Sequence, residues 1–150
     1  MMEFKCESFI ALNTHTLFTI VRGRIEVFVV EQMCPYSELD DNDTANTTVH
    51  IYQMDKNNLL AYARCYEKNA QYSAIGRVLV AKSERGKGVA KRLVNEAINC
   101  CKANWPERDI YIGAQTYLLD FYRSLGFEGV NDEYLEDGIA HHDMILKLTD

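Results

Sequence analysis

IGRVLVAKSERGKGVA, residues 75–90, is the stretch of sequence that decides the fold, and it combines an apolar run, a polar turn and a glycine-bearing loop before an amphipathic helix. The apolar run is short, aliphatic and bounded by polar residues, which predicts a buried strand over 73–81. Gly86 and Gly88 lack a Cβ, so the backbone can turn tightly and approach a ligand closely. The first turn of the next helix offers N–H groups without intrahelical partners, and its dipole attracts anions. These features predict a phosphate-binding loop, to which Arg85 and Lys87 add positive charge.

The glycines by themselves are equally typical of an ordinary tight turn. The loop lacks the GK[ST] triplet of a P-loop, and Lys91 and Arg92 after Ala90 do not fit GxGxxG. Arg85-x-x-Gly88-x-Ala90 after a Val-Leu-Val strand resembles the acetyl-coenzyme A motif of the GNAT superfamily of N-acetyltransferases. The resemblance implies acetyl-CoA as cosubstrate, with its pantetheine arm paired to the strand and its pyrophosphate held by loop N–H groups. The implied binding residues are Val78, Leu79, Val80, Arg85, Gly86, Lys87, Gly88, Val89 and Ala90.

Length, composition and charge narrow the class of protein. A chain of 150 residues, 47% hydrophobic and 25% charged, is expected to form one domain spanning 1–150, large enough to fold without disulfides. The net charge of −6 argues against general nucleic-acid binding. The sequence contains no stretch approaching the ~20 apolar residues of a membrane span, and its first residues do not resemble a signal peptide. We therefore expect a cytoplasmic protein with no membrane partner; a homodimer through a sheet edge or a helix face is one option.

The cysteines and one acidic segment were candidates for chemistry. Five cysteines, without a CxxC pair, predict free thiols in a reducing compartment and no metal site. Cys34, which precedes Pro35 in a loop, is a candidate reactive thiol. The cluster Asp40, Asp41 and Asp43 would suit a cationic substrate such as an amine if it lies near a site; the alternative is a solvated loop.

The periodicity of the remaining segments predicts a mixed α/β protein. Apolar residues at helical spacing predict a helix over 14–32, which Gly23 either kinks or divides at a cost of about 1 kcal/mol relative to alanine. Strands are predicted over 3–10, 47–54, 59–67 and 109–114, a second long helix begins at Val89, a short helix covers 117–125, and a hairpin covers 127–148.

With the resemblance, these elements imply a GNAT-like acyl-CoA N-acyltransferase fold. The expected sheet has six to seven strands, mostly antiparallel with one central parallel pair, and helices on both faces. A nucleotide-binding βαβ domain is a weaker alternative, since only one crossover is evident.

Two further segments resemble the ElaA-like branch of the GNAT superfamily. The matching residues of the first are Arg24, Val27, Phe28, Val29, Val30, Glu31, Gln32, Cys34, Pro35, Tyr36, Glu38, Asp40 and Asp43. The second is the tail Glu136-Asp137-Gly138-Ile139-x-His141, and this likeness implies that His141 lines the acceptor side.

A third segment supplies a candidate acid. Gln115, Phe121-Tyr122 and Gly126-Phe127 resemble the second GNAT signature, in which a helix directs a tyrosine hydroxyl at the coenzyme sulfur. Tyr122 matches that position, and a phenol, with a pKa near 10, is protonated at neutral pH and suits protonation of a departing thiolate. The alternative is that Tyr122 only packs beneath the sheet. Gln115 stands where many relatives have Asn, a residue that helps to hold the pantetheine or orient the helix.

The general base has four candidates in the sequence. An ammonium has no lone pair, so an amine acceptor must first lose a proton, and Glu31, Glu38, His50 and His141 are groups that could take it. Each also has a structural alternative: the two glutamates as partners of an arginine, and His50 as an ordinary strand residue. The resemblance further implies that backbone N–H near Val80 meets the developing oxyanion.

These features predict an acetyl-CoA-dependent N-acetyltransferase. The acetyl group would pass directly from the thioester to a primary amine of a small molecule or protein. The rival from another class is a non-catalytic acyl-CoA-binding sensor or interaction module that keeps the fold without transferring a group.

Overall fold

A mixed β-sheet organises the computed structural model, which describes residues 3–148. Its eight strands are β1 (Lys5–Ser8), β2 (Val49–Asp55), β3 (Asn58–Glu67), β4 (Tyr72–Val80), β5 (Asp109–Gln115), β6 (Glu128–Gly129), β7 (Tyr134–Glu136) and β8 (Ile139–Leu146). The strand order is β1-β2-β3-β4-β5-β8-β6, and β7 also pairs with β8. The prediction of a mixed, mostly antiparallel sheet is confirmed.

The predicted number of six to seven strands is wrong, because the described residues form eight. The difference arises between 127 and 136, where the sequence predicts one hairpin arm. The arm divides into β6 and β7, and the Asn131 side chain between them bonds to Asp143 in place of regular backbone pairing, with Asn131 Oδ1 3.1 Å from the Asp143 backbone nitrogen.

The central parallel pair is confirmed, and it is short. β4 pairs with β5 only from Tyr72 to Ala74, opposite Asp109–Tyr111. Both strands continue well beyond these three residue pairs. The two strands therefore separate towards their carboxyl ends. The last part of β4 stays paired with β3 on one edge and borders a gap on the edge that faces β5.

A β-bulge accompanies this separation. The register between β3 and β4 shifts after Tyr62 pairs with Leu79 and before Arg64 pairs with Gly76. Within the shift, Arg77 has φ 53°, a left-handed conformation that non-glycine residues rarely adopt and that costs about 1–3 kcal/mol. Bulges bend a strand and re-aim its groups, so this one marks the part of β4 that borders the gap.

The first helix covers one face of the sheet. α1 (Thr14–Arg24) begins at the N-cap Asn13, whose side chain accepts from the Thr16 N–H at 2.7 Å, and it continues into a π-helical segment, Ile25–Glu31. Gly23 does not divide the helix. A Cβ at this position would lie 2.6 Å from a Leu59 side-chain carbon, so glycine allows α1 to approach β3 closely.

The other helices lie on the opposite face. α2 (Val89–Asn104) buries the predicted apolar stripe against the sheet, while α3 (Leu119–Ser124) follows β5 and ends before Gly126, which has φ 103°. The α1 face buries Ile20, Tyr52, Leu59, Tyr62 and Leu79. The α2 face buries Ile51, Ala63, Ile75, Leu93, Val94, Ala97, Ile110, Ile112 and Phe127, among others. Helices on both faces are thus confirmed.

The cysteines are all free thiols, as expected. Across residues 3–148 no helix is both long and apolar enough to cross a membrane.

Candidate active site

The glycine loop after β4 leaves the start of α2 open. Gly86 and Gly88 have φ 78° and 76°, and a Cβ at either position would meet no atom within 4 Å. Gly88 is the N-cap of α2 and provides no side-chain cap, so the first N–H groups of the helix keep their bonding capacity. The loop and first helical turn also carry five basic residues and one acidic residue: Lys82, Arg85, Lys87, Lys91 and Arg92, with Glu84. In a chain of net charge −6, this is a local site for an anion.

The Arg85 side chain braces this loop. Its Nε donates to the Val80 carbonyl at 2.9 Å, and its Nη1 lies 2.9 Å from Glu31 Oε2. Glu31, a candidate base, therefore holds the loop to the end of the π-helical segment. Its carboxylate is occupied by a guanidinium in this arrangement.

The gap between β4 and β5 adjoins the loop. The predicted pantetheine strand, Val78–Val80, forms the end of β4 beyond the part that pairs with β5. Gln115 ends β5 and pairs with His141. The structure therefore brings the glycine loop, this strand end and Gln115 to one end of the sheet.

Tyr122 lies beneath that end of the sheet. It is 4% exposed, in edge contact with the rings of Phe121 and Phe127 at centroid distances of 5.1 and 5.9 Å. Burial, and to a smaller extent the charge of Tyr117, raises the pKa of the Tyr122 phenol. The alternative that Tyr122 packs beneath the sheet is thus correct for its ring, which belongs to the core. The hydroxyl makes no hydrogen bond within residues 3–148.

A largely buried arginine–carboxylate cluster holds the 34–43 loop on the sheet. Its members are Arg24, Arg64, Arg77, Glu38, Asp40 and Asp43. Arg24 is 1% exposed and lies 2.6 Å from both Glu38 and Asp43. Arg64 lies 2.7 Å from Asp40 and 2.9 Å from Asp43.

The arginines of the cluster keep Asp40 and Asp43 ionised and paired. Burial by itself would raise the pKa of Asp43, but the hydrogen bond from Arg24 and the charges of Arg24 and Arg64 lower it to about 2. Asp43 is therefore neither solvated nor free to hold an amine, and both interpretations of the acidic segment are wrong for this residue. Asp40 is paired with Arg64, but its side chain is 39% exposed to solvent. The pairing of Glu38 with an arginine is confirmed.

Arg77 links the cluster to the bulge of β4. Its Nε lies 3.1 Å from the Glu38 carboxylate, and its Nη2 donates to the Glu38 carbonyl at 2.9 Å. These contacts hold a strained backbone residue in place, so the 34–43 loop and the bulge form one rigid unit.

His50 is a structural histidine. Its Nδ1 is 2.6 Å from the Tyr62 hydroxyl and its Nε2 is 2.9 Å from the Asp43 carbonyl. It is 1% exposed, and burial lowers its pKa. With both ring nitrogens bonded inside the core, His50 cannot reach a substrate.

Unlike His50, His141 has one ring nitrogen, Nε2, that makes no hydrogen bond within residues 3–148. Nδ1 lies 2.7 Å from the Ile139 carbonyl, and since a carbonyl only accepts, Nδ1 is assigned the proton of the neutral ring. Nε2 then carries the lone pair, with Glu136 Oε2 3.7 Å away. The ring stacks on Tyr134 at 5.9 Å. The ring therefore has one nitrogen without a hydrogen-bond partner among the described residues and a carboxylate close to that nitrogen.

His141 belongs to a surface that the sequence did not reveal. The register pairs Gly113 with Asp143 and Gln115 with His141, so these side chains share one face of the sheet with Tyr111. This set, which we name the open face, lies on the α1 side, beyond the residues on which α1 packs. The one signal in the sequence is that His141 and Asp143 are two residues apart in a predicted strand, which places both side chains on the same face of the sheet.

A contact near the start of β8 joins two loops of the chain. The Cys34 thiol donates to the Asp137 carbonyl at 3.3 Å and so joins the 34–43 loop to the turn between β7 and β8. Cys34 is buried in this contact, which gives it a structural role. The 34–43 loop and the turn between β7 and β8 are thus held together.

Comparisons with known proteins identify the family. The protein-family model described as acetyltransferase (GNAT) domain matches residues 16–148. The chain belongs to the GNAT acetyltransferase family. Protein ElaA of Escherichia coli is 36% identical over 143 residues, which cover 94% of each chain. The crystal structure of that ElaA superposes with a TM-score of 0.92 over 97% of this chain and 100% of the other.

Two further solved structures agree with this GNAT assignment. An acyl-CoA N-acyltransferase from Pseudomonas aeruginosa is 33% identical, with a TM-score of 0.92 over 98% of this chain and 100% of that one. An aminoglycoside 6'-N-acetyltransferase complexed with coenzyme A is 12% identical and has a TM-score of 0.72 over 97% of this chain and 98% of the other, which shows a shared fold alone. The predicted family, its ElaA-like branch and the fold are confirmed. The GNAT chain is an acyl-CoA-dependent acyltransferase.

Proposed function

We propose that this GNAT protein transfers the acetyl group of acetyl-CoA to a primary amine of a small molecule or protein by direct attack on the thioester. The observation that carries the proposal is the gap between β4 and β5, which opens beside a basic glycine loop. Gln115, at the end of β5, pairs with His141 on the next strand, so His141 is one strand away from the gap. The five free thiols suit a reducing compartment, which supports a cytoplasmic location.

The residues around the loop fit the charged part of coenzyme A. Gly86 and Gly88 offer backbone without side chains, and the uncapped first turn of α2 offers N–H donors at Val89 and Ala90. Arg85 and Lys87 supply charge for a pyrophosphate. Backbone groups of Val78–Val80, and Gln115 across the gap, are assigned to the pantetheine arm.

The acyl-CoA thioester supplies an activated acyl group; the chain supplies proton transfer and charge stabilisation. We assign His141 as the base that takes the proton of the acceptor ammonium, directly or through a water, with Glu136 stabilising the imidazolium. Backbone N–H near Val80 would meet negative charge on the acyl oxygen. Tyr122, a phenol kept neutral by burial, is assigned as the acid that protonates the leaving sulfur.

The alternative function is an acyl-CoA sensor that binds without transfer. The free lone pair of His141 and the unpartnered hydroxyl of Tyr122 favour an enzyme, because a sensor needs neither group.

Thiol release from acetyl-CoA, measured against a panel of polyamines, amino acids and lysine peptides, tests the proposal. His141→Ala should lower kcat about 10²-fold or more with little change in acetyl-CoA affinity, while the exposed His15→Ala should behave as wild type. Transfer at the wild-type rate in His141→Ala would remove the base assignment. Coenzyme binding without transfer to any amine would favour the sensor.

A further inference from the structure

Asp143 lies at the centre of the open face as a carboxylate without an ionic partner. Its Oδ1 accepts from the hydroxyls of Tyr111 and Tyr134, both at 2.7 Å, and its Oδ2 accepts from Asn131 Nδ2 at 2.7 Å. Within residues 3–148 no lysine, arginine or histidine nitrogen lies within 4 Å of this carboxylate. Burial opposes ionisation, but the hydrogen bonds from Tyr111, Tyr134 and Asn131, together with the more distant charge of Lys68, outweigh it and lower the pKa of Asp143. The group is therefore an anion at neutral pH.

The hydrogen bonds leave one position on Asp143 unused. An ionised carboxylate offers about four acceptor sites, and three are occupied by neutral donors. The free site belongs to Oδ2, which has a single donor. A charged donor such as an ammonium bonds more strongly than a neutral one, so the remaining site suits a cation.

The residues around Asp143 also leave room for a cation and can bind one. Gly113 provides the room, since a Cβ there would lie 3.3 and 3.4 Å from the hydroxyls of Tyr111 and Tyr134. The ammonium of Lys68 already lies 4.1 Å from the centre of the Tyr111 ring, so the aromatic face accepts a cation in this structure. Lys68 is exposed and is the nearest competitor for that place.

The distance to His141 sets the length of the ligand. His141 and Asp143 are two residues apart on the same face of β8, and a strand advances ~3.4 Å per residue, which separates their Cα atoms by ~7 Å. Side chains stand roughly perpendicular to a sheet, so we take the same ~7 Å as the spacing of the two functional groups. An extended alkyl chain advances roughly 1.25 Å per bond, so two nitrogens ~7 Å apart are joined by about four to five methylenes.

From this arrangement we infer that the acceptor is a diamine, whose reacting amine meets His141 while its second ammonium binds the free position on Asp143 Oδ2. The inference rests on the proposed function for the role of His141. Binding of the second ammonium depends on Asp143 alone and can be measured without transfer.

Calorimetric titration of the protein saturated with coenzyme A tests binding directly. The probes are 1,4-diaminobutane, 1,2-diaminoethane, which is too short, and butylamine, which lacks the second charge. We expect 1,4-diaminobutane to bind about tenfold or more tightly than either of the others, and Asp143→Asn to abolish that preference. Asp120→Asn, at a fully exposed carboxylate, is the matched control and should keep it. Lys68→Gln should increase the affinity for the diamine.

The same amines in the thiol-release assay separate the two hypotheses. Equal affinity and equal kcat/KM for 1,4-diaminobutane and butylamine in the wild-type protein would overturn the diamine inference while leaving the transferase intact. A preference that survives in Asp143→Asn would overturn it as well. Diamine binding that depends on Asp143, but without thiol release, would support the ammonium site at Asp143 and refute the transferase and the diamine's role as acceptor.

Discussion

Replacement of Arg24 by methionine should be among the most destabilising single changes in the chain. The guanidinium is 1% exposed and bonds the carboxylates of Glu38 and Asp43, which are themselves 4% and 11% exposed. Methionine keeps much of the side-chain volume but leaves two buried anions with fewer partners. The 34–43 loop would then lose the contact that ties it to the first helix.

The magnitude follows from what remains around the two carboxylates. Removing one partner of a buried ion pair costs about 3–5 kcal/mol. Glu38 keeps Arg77 and Asp43 keeps Arg64, so we expect the lower end, about 3 kcal/mol. For a domain of this size each kcal/mol lowers Tm by about 2–4 °C, which predicts a fall of about 6–12 °C.

Thermal and urea unfolding of Arg24→Met and of a matched control, Arg123→Met, measure the effect. Arg123 pairs with Asp120 at 3.3 Å in an exposed setting, 57% and 99% exposed, so its loss should cost less than about 0.5 kcal/mol. A loss below about 1 kcal/mol in Arg24→Met, or equal losses in both variants, would refute the account of the cluster. A folded Arg24→Met should also show a raised acceptor KM with little change in acetyl-CoA affinity, because the cluster holds the 34–43 loop, which Cys34 joins to the turn that precedes His141 on β8.

Three other predictions concern the loop, the acid and pH. Gly88→Ala should weaken acetyl-CoA binding about five- to tenfold, because φ 76° strains any side chain by about 1–2 kcal/mol; Gly129→Ala, where a Cβ also meets no atom within 4 Å and φ is ordinary, should bind as wild type in the same titration. Tyr122→Phe should lower kcat about 10²-fold or more and leave the acetyl-CoA Kd nearly unchanged; unchanged turnover would remove the acid role. The pKa of Asp43 is lowered to about 2, so its contribution to stability is complete above about pH 4 and disappears as the pH falls towards 2. The stability difference between wild type and Asp43→Asn, measured by urea unfolding, should therefore shrink over that interval, and a constant difference would contradict it.

Local sequence patterns predicted the elements that depend on local chemistry. The stripe from Val89 to Cys101 is buried because helical spacing places it on one side of α2, and β4 was recognisable from its aliphatic residues. The helix through Gly23 was harder to interpret, because the reason for the glycine is the approach of Leu59 from another part of the chain.

Features that depend on strand register could not be read from the sequence. The bulge at Arg77 lies in a segment that looks like an uninterrupted strand, and it appears only when β4 is aligned with β3. Asp143 gains its tyrosine partners only because β5 pairs with β8 and leaves Gly113 between them. The sequence predicts β6 and β7 as one arm of a hairpin for the same reason, because the Asn131 contact that separates them is a tertiary contact with Asp143.

The central claim is that the gap beside the glycine loop binds acetyl-CoA for transfer to an amine. Calorimetric titration of the wild-type protein with acetyl-CoA, beside ATP and NAD, tests it most directly when followed by thiol release on addition of amines. We predict saturable binding of acetyl-CoA with a Kd between about 1 μM and 1 mM, no comparable binding of the nucleotides, and thiol release with at least one amine. Absence of acetyl-CoA binding would contradict the account of residues 75–90 and the function built on it.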